Sequence, residues 1–198
     1  MQDTAYLKCI IPKCGKEYVI SSTRIHCDCG NLLDVKYKNT PSSKLKAIFN
    51  QRHNPQGSIF NESGVWRFRE LLNFCQIDTE DLEQCSKNLV SLDGAEGRQS
   101  KPYHMSKVAE FIEINSEKLM LQPEGYNPSG SFKDNGMSAA VTHAKMVNAK
   151  KIICASTGNT SASAGMFAAN ENIECDVYIP EGEISPGKLS QAYQFGTQ

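Results

Sequence analysis

Three short stretches carry residue types that can do chemistry. Asn127, Pro128, Ser129, Gly130, Ser131, Phe132, Lys133 and Asp134 stand where an apolar strand candidate gives way to a helical pattern. Small polar residues there leave backbone N–H groups free, and the positive end of a helix dipole suits a phosphate or carboxylate. The same field disfavours an ammonium, so Lys133 in the first turn is expected to react as a free amine, as Schiff-base chemistry requires. The competing reading is a solvated helix lysine with no such role, the commoner fate of a lone lysine. A second loop, Ala155, Ser156, Thr157, Gly158, Asn159, Thr160 and Ser161, also joins a strand to a helix. Its hydroxyl and amide groups can bind a carboxylate or a phenolic oxygen at the carboxyl edge of a parallel sheet. It can equally be a capped turn without a ligand, with Asn159 or Thr160 as N-cap.

The third stretch holds Cys9, Cys14, Cys27 and Cys29. Four thiolates in two close pairs across a short hairpin can enclose Zn²⁺ tetrahedrally, and Gly15 and Gly30 permit turns that aim backbone N–H groups at sulfur. The single residue between Cys27 and Cys29 is a tighter spacing than usual, and a reduced hairpin without metal stays open as the alternative. The other four cysteines, Cys75, Cys85, Cys154 and Cys175, are scattered and form no such set.

Elements of regular structure must position these residues. The polar run Lys38, Asn39, Thr40, Pro41, Ser42 and Ser43 reads as a linker, which divides the chain into a cysteine-rich element at 1–40 and a second region at 41–198. Lys44 to Phe49 has helical spacing, and Trp66, Phe68, Leu71, Leu72 and Phe74 are expected core contacts. Asp93 to Lys101 reads as a loop. In the last third, strands at Lys118 to Gln122, Lys151 to Ala155 and Cys175 to Ile179 alternate with helices at Ser131 to Asn148, Thr160 to Asn172 and Lys188 to Phe195, the last opened by Pro186. That alternation predicts βαβ units and a parallel sheet covered by helices.

Lysine and arginine total 21 against 22 acidic residues, a net charge of −1, so no basic field exists to gather nucleic acid. No apolar run approaches the roughly 20 residues of a membrane span. Met1, Gln2 and Asp3 open no export signal, so the expectation is a cytoplasmic protein with free or metal-bound thiols and a small-molecule partner.

The motifs themselves carry a resemblance. NPSGSFKDNGM at 127–137 resembles the cofactor-lysine motif of the threonine synthases, and ASTGNTSAS at 155–163 resembles their second ligand loop. VWRFREL at 65–71 and IPEG at 179–182 extend the likeness across nearly the whole chain. The resemblance implies a pyridoxal-phosphate enzyme of fold type II, similar to the tryptophan synthase β family: a three-layer parallel α/β sheet preceded by a small zinc-ribbon-like β-hairpin. It implies that Lys133 carries pyridoxal phosphate and moves protons, and that Asn159 hydrogen-bonds the ring oxygen of the cofactor. Thr157 and Thr160 would face the substrate carboxylate, with Ser156 and Ser161 as weaker candidates, and a structural zinc would sit on the four cysteines. Asn135 departs from the basic residue that many relatives carry, and the loop Glu96 to Ser100 matches the family only loosely.

The activity so implied converts O-phosphohomoserine and water to threonine and phosphate. A serine or threonine dehydratase of the same fold is the sister reading, and a non-catalytic fragment with a metal ribbon is the reading from another class. The family continues beyond Gln198, and in it the Gly-rich loop that holds the cofactor phosphate comes later. The catalytic region at 41–198 is therefore expected to be incomplete, with a homodimer compatible at full length.

Overall fold

The computed structural model describes residues 5–38, 43–52, 58–72, 89–92, 94–95, 103–180, 190 and 193–197. The linker at 39–42, the loop 96–100, Phe74, Pro186 and half of the expected helix at 188–195 lie outside the described residues.

The cysteine-rich region is a three-stranded antiparallel sheet, not the two-stranded hairpin expected. Its strands are β1 (Ala5–Cys9), β2 (Glu17–Val19) and β3 (Leu33–Tyr37), in the order β2-β1-β3. Leu7 stands opposite Tyr18 on one side and Val35 on the other. In the third strand Leu33, Val35 and Tyr37 alternate with Asp34 and Lys36, but Asp34 to Tyr37 are all exposed, so the alternation marks no buried face.

Two short helices follow, α1 (Ser43–Gln51) and α2 (Ile59–Glu62), then a 3₁₀ helix at Trp66–Leu71. Ser58 caps α2 by accepting the Phe60 N–H, which gives an orphan donor of the first turn its partner. Trp66 is fully buried and donates its indole N–H to the Val90 carbonyl at 2.7 Å, satisfying the one polar atom of a large apolar ring. Phe49 meets Phe68 edge to face with centroids 5.0 Å apart. Gly94 has φ +69°, and a Cβ there would lie 2.3 Å from the Ile59 carbonyl oxygen, so only glycine fits.

Beside Trp66 lies a buried ion pair that sequence reading did not find. Arg52 grips Glu70 with both terminal nitrogens, one at 2.8 Å, and also donates to the Arg67 carbonyl at 2.6 Å. Burial alone would push the Glu70 carboxyl up, but the hydrogen bond and charge of Arg52 hold it below the ordinary carboxylate value. A carboxyl depressed in the fold contributes stability above its unfolded value near pH 4.3 and loses it as pH falls through the folded value. Glu70→Gln should therefore destabilise the protein at neutral pH by about 3–5 kcal/mol, because it strands a buried guanidinium. Urea titration at pH 7 and pH 3.5 checks this. The penalty should shrink at the lower pH, and a variant as stable as the parent at both would refute it.

The second half contains α3 (Ser106–Phe111), α4 (Lys133–Met146), β6 (Lys151–Ala155), α5 (Asn159–Asn170) and β7 (Glu174–Tyr178). As expected, β6 and β7 pair in parallel, with Ile152 opposite Cys175 and Cys154 opposite Val177. The helices α4 and α5 each stop at an asparagine in the left-handed region, Asn148 at φ 54° and Asn172 at φ 55°. The next N–H then reaches back five residues, Ala149 to Ala144 and Ile173 to Ala168, both at 2.9 Å, which closes each helix before its strand.

One expected strand is placed differently. Only Met120 and Leu121 of the stretch 118–122 are extended, as β5, and they pair antiparallel with β4 (Tyr103–His104) rather than joining β6 and β7. A 3₁₀ turn at Ser116–Lys118, where the Asn115 side chain accepts the Glu117 N–H, takes up the start of that stretch.

Ala164 and Ala168 of α5 pack against Ile152, Cys154, Cys175 and Val177, so α5 covers one face of the parallel pair. On the opposite face Ile153 and Tyr178 are exposed, 65% and 62%. Val141 of α4 and Phe167 of α5 join Val90 in the adjoining core. Gly165 admits a close crossing: a Cβ there would stand 2.4 Å from Thr197 Cγ2.

Candidate functional site

The loop before α4 is built by its own side chains. Gly130 donates its N–H to the Asn127 carbonyl at 2.7 Å and takes φ +80°, turning the chain back toward the helix. The buried Asn127 amide donates to the Ser131 carbonyl and to Glu124 Oε2, both at 2.9 Å. Asn135 donates to the same Glu124 oxygen at 3.0 Å, so here an amide occupies the place where a basic residue would make an ion pair.

Lys133 is the first residue of α4 and is half-buried. Its ammonium lies 4.7 Å from the centroid of the Phe132 ring, and no carboxylate among the described residues reaches it. The next residue, Asp134, is fully buried and accepts three hydrogen bonds. They come from the Ser129 N–H at 2.7 Å, the Ser129 hydroxyl at 2.5 Å and the Ser163 hydroxyl at 2.6 Å.

In the second loop, Ser161 is buried and donates its hydroxyl to the Gly158 carbonyl at 2.7 Å. Ser156 accepts the Gly158 N–H at 3.4 Å. These two serines thus shape the turn. The side chains of Thr157, Asn159 and Thr160 have no hydrogen-bond partner among the described residues, and Asn159 is exposed at the first position of α5. The two loops are connected by the Asp134–Ser163 bond between α4 and α5, not by a shared edge of one sheet, since β5 stands in its own pair. Asp134 and Ser163 were missed in the sequence. An acidic residue in a first turn reads as a partner for the helix dipole, and only the run of Ala, Ser and Gly after Asn159 hinted that a second helix comes close.

The four N-terminal cysteines also come together. Their sulfurs all lie within 4.8 Å of one another, with Cys9 to Cys29 at 3.5 Å and Cys14 to Cys27 at 3.7 Å. Tetrahedral ligation at roughly 2.3 Å per bond puts sulfurs about 3.8 Å apart, so this set fits a divalent metal. Donors already point at sulfur: the Ile11 N–H at Cys9, 3.5 Å, and the Asn31 amide at Cys29, 3.5 Å. The Asn31 backbone N–H and then its side chain bring the Cys29 thiol down to about 6. At Cys9 the Ile11 N–H also lowers the thiol, but lost solvation and the neighbouring thiols outweigh it and push it up to about 12.

Residues 102–198 match the family model described as pyridoxal-phosphate dependent enzyme. Over nearly its whole length the chain is similar to threonine synthases. It is 36% identical to that of Methanocaldococcus jannaschii over 191 residues, which is 96% of this chain and 42% of the relative. It is 34% identical to that of Methanosarcina acetivorans over 194 residues, 98% of this chain and 41% of the relative. Over a shorter stretch of 75 residues, 38% of this chain and 21% of the relative, it is 56% identical to the threonine synthase of a Bacillus species. The chain thus spans about two fifths of the length of the relatives it matches end to end.

Proposed function

We propose that this chain is the N-terminal part of a threonine synthase, which releases phosphate from O-phosphohomoserine and adds water to give threonine. The observation that carries this reading is the uncommitted Lys133 amine at the head of α4, tied through Asp134 and Ser163 to the helix that begins at Asn159. The resemblance to threonine synthases supplies the substrate.

Pyridoxal phosphate would supply an electron sink at the substrate α-carbon. The protein would do the rest. Lys133 would hold the cofactor and carry the α-proton, and Asn159 would hydrogen-bond the ring oxygen. Thr157 and Thr160 would receive the substrate carboxylate, with Ser156 and Ser161 acting chiefly on the shape of their loop. The bare face of β6 and β7 at Ile153 and Tyr178 supports a third layer over a parallel sheet, since such sheets are covered on both faces.

The same reading assigns residues 1–40 to a zinc-ribbon-like element and 41–198 to an incomplete catalytic region, in a cytoplasmic protein that is a homodimer at full length. None of the helices among the described residues is long and apolar enough to cross a membrane.

The test offers O-phosphohomoserine, serine and threonine separately to the protein at its natural length with pyridoxal phosphate. Threonine and phosphate in equal amounts from the first substrate are the expected products. Formation of 2-oxobutyrate from threonine, without phosphate release from O-phosphohomoserine, would make it a dehydratase instead.

A further inference from the structure

We propose that Asp134 is a positioning residue that holds Lys133 at a fixed distance from the Asn159 loop, an inference that rests on the proposed cofactor role of Lys133. Asp134 is fully buried, and among the described residues no cation pairs with it. Its three acceptor contacts divide between its own loop and α5. Ser129 binds it twice, through N–H at 2.7 Å and hydroxyl at 2.5 Å, which closes residues 129–134 into one ring around Gly130 and the base of Lys133. Ser163, on the next helix and four residues beyond Asn159, binds it at 2.6 Å.

Four residues is close to one helical turn, so Ser163 and Asn159 lie on the same side of α5. A single carboxylate therefore fixes the loop that carries the amine and the helix that carries the ring-oxygen donor. A buried ionised carboxylate is costly unless fully hydrogen-bonded, and its position is accordingly well determined. Small errors matter at such a site, because a displacement of about 1 Å between reacting groups can cost on the order of 10²-fold in rate.

The prediction concerns the full chain, with Ser163→Ala as the mild variant and Asp134→Asn as the severe one. Pyridoxal phosphate is added, trapped with borohydride, and the labelled lysines are quantified by mass spectrometry. Lys145, on the same helix and paired with Glu171 at 2.7 Å, is the internal control. In Ser163→Ala, labelling of Lys133 should fall about tenfold or more relative to Lys145, since the loop loses its tie to α5. Without cofactor, the Ser129 amide should exchange its hydrogen faster in the variant while Val141 and Thr142 keep their protection. A purely structural role would change both lysines together.

Equal Lys133 labelling in parent and Ser163→Ala, with unchanged Ser129 exchange, would overturn this inference alone. A parent chain that takes no label at Lys133 would overturn the proposed cofactor role and this inference with it. Should Asp134→Asn fail to fold, Ser163→Ala still decides the question, because it leaves the carboxylate in place and removes only the donor from α5.

Discussion

Lys133→Ala is expected to abolish covalent attachment of pyridoxal phosphate and to lower threonine formation by the full-length protein by about 10²–10⁴-fold or more, the range a positioned proton-transfer group contributes. Its effect on folding should be small, and the structure says why. The ammonium sits at the first position of α4, where the helix dipole disfavours a positive charge by about 0.3–1 kcal/mol. Against that stands the contact with the Phe132 ring, an exposed cation–π interaction of about 0.5–1 kcal/mol. The two nearly cancel, so the thermal midpoint of the variant should match that of the parent. Absorbance of the bound cofactor, a melting curve and product assay on one preparation decide it. A variant that keeps both the absorbance band and the turnover would show that another group holds the cofactor.

The contrast with Glu70→Gln shows which features of this chain reach its surface grammar. Lys133 and Asn159 could be singled out because each stands at the junction of a strand pattern and a helix pattern, and junction residues are visible in a linear string. The strand Lys151–Ala155 was legible to its last residue because polar loops bound it on both sides. The ends of α4 and α5 were legible because Asn148 and Asn172 are residues that tolerate the left-handed turn a helix stop needs. Arg52 and Glu70 could not be paired in advance. They are separated by α2 and the turn of Trp66, and nothing in either residue's neighbourhood records that a charge is about to be buried.

The misplaced strand at 118–122 has a similar cause. Its apolar residues were read as a buried parallel strand, yet Met120 and Leu121 are 55% and 44% exposed and pair with a two-residue partner. A short apolar run fixes neither its partner nor its direction. What remained unreadable is thus pairing at a distance: β5 with β4, β3 with β1, Arg52 with Glu70, and Asp134 with Ser163.

Removing metal from the cysteine cluster should have the largest effect on folding, confined to the N-terminal sheet. Among the described residues of that sheet and its turns, only Ala5, Cys9 and Cys27 are buried, while Ile10, Ile11, Val19, Ile25, Leu32, Val35 and Tyr37 are exposed. Burial of three small side chains is too little apolar contact to order a three-stranded sheet, so this element needs a further source of stability. The sulfurs supply the place for one. Zinc bound to such a set contributes about 10–16 kcal/mol in apparent terms, far more than the available apolar contacts. The element touches the rest of the protein where the Ile20 carbonyl meets His143 Nε2 at 3.2 Å, near the end of α4 and away from Lys133. Chelation should therefore strip hydrogen-exchange protection from β1, β2 and β3 while Val141 and Thr142 in α4 stay protected. Protein purified without chelator should contain one zinc per chain, and Cys14→Ser should lose it. Zinc-free protein that keeps the protection of all three strands, with four freely titratable thiols, would show that the apolar contacts suffice and that the cluster is not a metal site.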